Sequence, residues 1–137
     1  MQIISFWPIL VASIVSFGIS ALWYSPILFG KQWMTLLNLT DTEIGEMRNR
    51  GIWKLYIVQF IMTLISFCVL AFIFVATSAK GIGNGAILGF FVWLGFVATH
   101  SVAGLLWEKR SFKLFLIDTI SILLTLVIGG AIIGAWK

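Results

Sequence analysis

The sequence predicts an all-α integral membrane protein built as four transmembrane helices in an antiparallel bundle, and three observations carry that prediction. Of its 137 residues 61% are hydrophobic and 10% charged, whereas soluble domains are about 45–50% apolar and about 25% charged. The apolar residues gather into four runs, each long enough to cross a hydrocarbon core about 30 Å thick. Two of the three connections are tight, which makes consecutive helices antiparallel neighbours. Residues 1–137 read as one four-helix transmembrane domain with no soluble module.

The first span runs from about Ile3 to Phe29. It lacks a basic leader and exceeds the 7–15 residues of a signal-peptide core, so it reads as retained in the mature chain. A loop follows in which Thr40 and Glu43 have capping-box spacing, predicting a short interfacial helix over about 41–48 whose acidic start and basic end suit the helix dipole. Gly51 breaks the chain before the second span, Ile52 to Thr77. The turn "SAKGIG" leads into the third span, Asn84 to Trp107, and "EKRS" into the fourth, Phe112 to Trp136. Trp7, Trp23, Trp33, Trp53, Trp107 and Trp136 fall at span ends, as interfacial anchors do. Trp93 lies inside a span, where its indole N–H needs an acceptor.

The formal charge of +4 is distributed unevenly. Lys31, Arg48, Arg50, Lys54, Lys109, Arg110 and Lys113 border the first and third loops, and only Lys80 and Lys137 lie on the other side. The positive-inside rule then turns both termini outward and the first and third loops toward the cytoplasm. Basic residues beside helix ends set orientation and imply no nucleic-acid partner. Cys68 is the single cysteine, which excludes a disulfide or a Cys-based metal site within one chain. His100 and Asp118, one histidine and one aspartate, make too small a ligand set for a metal unless subunits pool theirs. No cofactor is expected.

An internal repeat is open. "KLYIVQ" at 54–59 and "KLFLID" at 113–118 match class for class, and "SALW" ending at Trp23 parallels "GLLW" ending at Trp107. Two parallel helix-hairpin repeats and chance similarity in apolar sequence both explain this.

Helical periodicity sorts the polar and small residues into faces. Ser13, Ser16, Ser20 and Tyr24 share a face of the first span; Gln59, Thr63 and Ser66 of the second; Gly85, Gly89, Phe96, His100 and Gly104 of the third; Asp118, Ser121, Thr125 and Gly129 of the fourth. Lipid offers no hydrogen bonds, so these faces are expected to point at one another, with Gly85, Gly89, Gly104, Gly130 and Gly134 as close-packing positions. His100 and Asp118 stand out, because ionisable groups at membrane depth are costly. Counted at 1.5 Å per residue, each lies about 10 Å inside the same end of its helix. Antiparallel neighbours would hold them level as a proton-exchanging pair, with Tyr24, Gln59, Thr99 and Ser121 lining the site. The bland alternative is a hydrogen bond that pins two spans together.

At "LWYSPILFGKQWM", residues 22–34, and "GFVATHSVAGLLWEKR", residues 95–110, the chain resembles a family of small bacterial four-span membrane proteins catalogued as a domain of unknown function. The most specific part is the pattern Trp23, Tyr24, Ser25, Pro26, Phe29, Gly30 and Trp33. The resemblance implies the fold class and a bacterial inner-membrane location, and it carries no activity or catalytic residue across. Pro26, read physically, ends or kinks the first span near Tyr24.

The leading expectation is a small transporter or channel-like protein, homo-oligomeric because four helices barely enclose a pathway, with the lipid bilayer around it and a small molecule or ion as substrate. The alternatives are a membrane enzyme using His100 as base on a lipophilic substrate, for which no nucleophile is visible, and a structural or accessory subunit. No catalytic residue is assigned.

Overall fold

The computed structural model of the chain describes residues 6–25, 27–37, 40–49, 51–108 and 111–136. Pro26, Arg50, Lys109, Arg110 and Lys137 lie outside the described residues, and so does the expected proline stop. Helix α1 spans Phe6–Trp23, α2 Gly30–Leu36, α3 Asp41–Asn49 and α4 Ile52–Ala76. The third span is continuous but composite: α5, Gly81–Val92, passes through a π-helical stretch, Trp93–Ala98, into α6, Thr99–Trp107. Helix α7, Phe112–Ala135, completes the fold. Four of these helical stretches are long and apolar enough to cross a membrane. The chain is an all-α membrane protein.

Local chemistry places the helix ends. The Thr40 hydroxyl accepts from the Glu43 amide at 3.2 Å, the N-cap half of the predicted capping box. Gly51 adopts φ +89° before α4, a conformation that side chains disfavour. After α4, Ser78 takes a left-handed φ of 56°. There the Ser78 amide bonds the Val75 carbonyl and the Ala79 amide the Phe74 carbonyl, both at 3.0 Å, which closes the helix as a Schellman turn. At the start of α7 the Ser111 hydroxyl accepts from the Leu114 amide at 3.1 Å.

Helix α7 is the centre of the packing, lying against α5 on one side and α1 on the other, with α4 against α1. The expectation that consecutive spans are neighbours holds for α5 and α7 and fails for α4 and α5, which touch little despite their short turn. The two sequence hairpins are therefore packed unlike each other. Their matched tryptophans also differ, Trp23 being half-buried and Trp107 fully on the outside.

Glycine explains why α5 and α7 dominate. A Cβ added at Gly85 would strike the Gly130 carbonyl, one at Gly89 the Leu126 carbonyl, and one at Gly134 the Gly81 carbonyl. These pairings step by one turn in opposite directions along the two helices, so the backbones run antiparallel and in contact over about two turns. Gly104, the remaining predicted packing position, is half-buried in α6. Near α4 the seam has a second device: Gly129 leaves the space in which the Phe67 ring sits. Ile9, Ala12, Phe67, Leu70, Ala71, Phe74, Leu126 and Ile133 form the apolar core. All belong to the half of the bundle where α1 begins and α4 and α7 end.

Gly130→Ala is expected to lower the unfolding free energy by about 1–3 kcal/mol, because backbone cannot yield to the methyl group. Gly83→Ala is the control: its added Cβ meets nothing within 4 Å, so stability stays level or rises by up to about 1 kcal/mol. Denaturant unfolding in detergent micelles measures both.

Candidate functional site

The polar cluster forms in the other half of the bundle, where the end of α1 meets the start of α7. Helix α1 stops at Trp23 instead of running on to Phe29, and the turn that follows is tightly bonded. The Phe29 amide reaches the Trp23 carbonyl at 3.0 Å and the Gly30 amide the Ser25 carbonyl at 2.9 Å. Gly30 is required here, since a Cβ on it would overlap the backbone of Tyr24 and Ser25. Chain reversal brings Phe29 onto the Trp23 ring at 4.5 Å between centroids and Trp33 edge-on to Tyr24 at 5.4 Å. These aromatic contacts hold two polar atoms against α7. The Trp23 indole donates to the Ile117 carbonyl at 3.0 Å, and the Tyr24 hydroxyl donates to the Asp118 carboxylate at 2.7 Å.

Except for Pro26, each residue of the Trp-Tyr-Ser-Pro pattern and its Phe29, Gly30 and Trp33 extension thus has a described job. Ser25 turns its hydroxyl to the Leu22 carbonyl at 2.6 Å. Sequence reading treated Trp23 as an interfacial anchor and missed its bond to α7; the usable signal was that it neighbours Tyr24 and precedes a glycine-dependent turn. For Trp93 the expected acceptor exists: its indole donates to the Thr119 carbonyl at 2.7 Å.

Of the six residues expected to line a site, the fold brings three together. Tyr24 and Asp118 are half-buried and Ser121 is buried one turn further along α7. Tyr24 follows the first span directly. Burial there, then its hydrogen bond to Asp118 and that group's negative charge, push the phenol well above the usual tyrosine range, while a hydrogen bond with Ser121 pulls it down. The phenol is a donor throughout the physiological pH range.

Gln59, Thr99 and His100 lie on exposed faces of α4 and α6. The His100 imidazole makes no hydrogen bond or ion pair among the described residues, so the anticipated His100–Asp118 pair does not form within one protomer. The cause is the π-helical stretch. Its i→i+5 bonding adds a residue per turn and turns everything after it relative to an α-helical count. Gly85 and Gly89 are buried as expected, but from within the π segment onward the packed residues are Val97, Ser101 and Gly104, while Phe96 and His100 face outward. The wide turn begins at Trp93, where an indole replaces glycine in the seam.

The second span departs as well. Thr63 and Ser66 donate to the Gln59 and Met62 carbonyls of their own helix at 2.9 and 3.0 Å, and Thr99 does the same to Gly95 at 2.7 Å. A hydroxyl satisfied by its own backbone has no need of a neighbouring helix. The first and fourth faces do point inward, with Ser13, Ser16, Ser121 and Gly129 buried and Ser20, Tyr24, Asp118 and Thr125 half-buried. Extending the Trp23–Ile117 and Tyr24–Asp118 register along antiparallel helices sets Ser20, Ser16 and Ser13 level with Ser121, Thr125 and Gly129. A polar seam therefore runs from Asp118 toward the middle of the bundle, ending where Phe67 fills the space at Gly129.

Four apolar spans, with a phenol, a carboxylate and a hydroxyl gathered where α1 meets α7, define the class: a small polytopic α-helical membrane protein. The chain belongs to the family described as "Protein of unknown function (DUF1761)", which it matches over residues 7–134. Comparisons with curated proteins and with solved structures found no match.

Tyr24→Phe is expected to cost about 1.5–3 kcal/mol of stability, the range for a hydrogen bond to a charged group. In an Asp118→Asn background the same change should cost clearly less, and a double-mutant cycle by denaturant unfolding reads the difference.

Proposed function

We propose that this protein is a small transporter or channel-like protein of the bacterial cytoplasmic membrane, oligomeric, with both termini outward, in which Asp118 held by Tyr24 is the group that exchanges a proton or meets the substrate. The observation that carries this reading is the 2.7 Å bond from Tyr24 to Asp118 at the head of a seam of hydroxyls between α1 and α7. An intramembrane carboxylate is costly, and such groups mark ion and proton paths. Tyr24 gives it a donor that stays protonated, so a change in the carboxylate's charge changes the strength of one defined bond between two spans.

The oligomeric part of the proposal rests on the third span, of which 6% is buried against 39% for the fourth. His100 is exposed there beside Gly95, Thr99 and Ala103, whose i, i+4, i+8 spacing suits close helix contact. A neighbouring subunit is the partner that would relieve an imidazole otherwise facing acyl chains.

Reconstituted into liposomes and screened over a panel of ions and small solutes, the wild-type protein should catalyse a flux that Asp118→Asn reduces at least about tenfold. Tyr24→Phe should shift the pH dependence of that flux. Unchanged flux in both variants would remove the transport role of the pair. A cysteine at Gly95, in a Cys68→Ser background, should form disulfide-linked dimers in native membranes; a product that stays monomeric would rule out this contact face.

A second reading is favoured by the two indole bonds, Trp23 to Ile117 and Trp93 to Thr119, which flank Asp118 and make the cluster a latch between three spans. Under that reading Asp118→Asn lowers thermal stability and leaves any measured flux unchanged.

A further inference from the structure

Helix α4 is buried only in its second half. Its first turns, from Trp53 to Ser66, are exposed or partly exposed, because the core that grips α4 begins at Phe67. Between this free half and α1 an apolar slot of about 330 Å³ opens sideways, lined by Phe17, Tyr56, Ile57, Phe60 and Ile61. Phe17 forms its floor, edge-on to Tyr56 at 5.9 Å and to Phe60 at 6.1 Å. The slot has the size of a small-molecule pocket. Its lining offers no polar surface, which suits a hydrocarbon occupant and disfavours a polar solute.

What lies at its mouth narrows the occupant further. Trp53 precedes Ile57 and Phe60 by four and seven residues, and Lys54 precedes Ile57 and Ile61 by three and seven, so both sit on the slot's side of α4 toward the first loop. The Lys54 ammonium lies 5.6 Å from the Trp53 ring centroid, held by a cation–π contact. The sequence adds Arg48 and Arg50 to the same loop. An apolar slot below an ammonium is complementary to a molecule with a chain at one end and a negative headgroup at the other. A second copy of this chain in the slot would instead bring like charges together.

We propose that the slot between α1 and α4 binds one acyl chain of an anionic phospholipid, with the phosphate paired to Lys54. The site stands apart from the Asp118 cluster and does not depend on a transport role.

Native mass spectrometry of the detergent-purified protein, equilibrated with phosphatidylglycerol or with phosphatidylcholine of the same chains, tests it. Wild type should retain phosphatidylglycerol about fivefold better, the preference that one lysine near an anionic headgroup confers. Lys54→Gln should abolish that preference, and Lys80→Gln at the far end of α4 should preserve it. Ile61→Trp, a change at an exposed position that fills the slot, should lower retention of both lipids. Retention of phosphatidylglycerol by Lys54→Gln at the wild-type level would overturn the proposal. So would an equal loss in Lys80→Gln, or lipid retention unaffected by Ile61→Trp. Self-cross-linking of Ile57→Cys in a Cys68→Ser background in phosphatidylglycerol vesicles would overturn it in favour of a second copy.

Discussion

In hydrocarbon, a hydroxyl, indole or carboxylate has no solvent to hydrogen-bond, so each must find its partner within the protein or remain at a cost of several kcal/mol. That constraint organises this fold more than any apolar attraction does, since lipid tails solvate leucine as well as another helix can. Two solutions recur. Thr63, Ser66 and Thr99 turn back to carbonyls of their own helices, which frees their faces to look outward. Trp23, Tyr24 and Trp93 cannot do this, because their donors sit at the ends of long rigid side chains; they reach across to α7 instead. Helix α7 is the common acceptor, and the bundle is arranged around it.

Close approach of α5 to α7 depends on glycine at each turn of contact, and the consequences reach past the seam. Where the glycines stop, Trp93 enters the interface and the helix widens into a π-helical stretch. The indole keeps the two helices joined through Thr119, but the extra residue in the turn rotates α6. His100 leaves the interior for that reason, and Ser101 and Gly104 take the half-buried positions. Packing in one half of the third span thus decides what the other half exposes.

The bundle is also divided along its length. Apolar side chains fill the half near the start of α1, with Phe67 and Phe74 of α4 almost wholly buried. Toward the basic loops α4 loses its grip, and two different features occupy that end: the hydrogen-bonded cluster between α1 and α7, and the apolar slot between α1 and α4. A tightly packed half adjoins one held by polar bonds between α1 and α7, with the first turns of α4 open beside it.

Hydrophobicity over whole spans, the glycine spacings at 85, 89, 130 and 134, the Thr40 cap and the inward faces of the first and last spans were all legible in the sequence. Each follows from composition or from short-range periodicity within one helix. The Tyr24–Asp118 contact was half legible: both residues were singled out and assigned to one polar layer, while Asp118 was paired with His100. What only the tertiary structure decided was the identity of that partner, the light contact between α4 and α5, and the outward turn of His100. The reason is physical. A sequence read at 3.6 residues per turn carries helical phase forward without loss, whereas a π-helical stretch, which here begins at an indole bonded to a neighbouring helix, resets that phase for every residue after it.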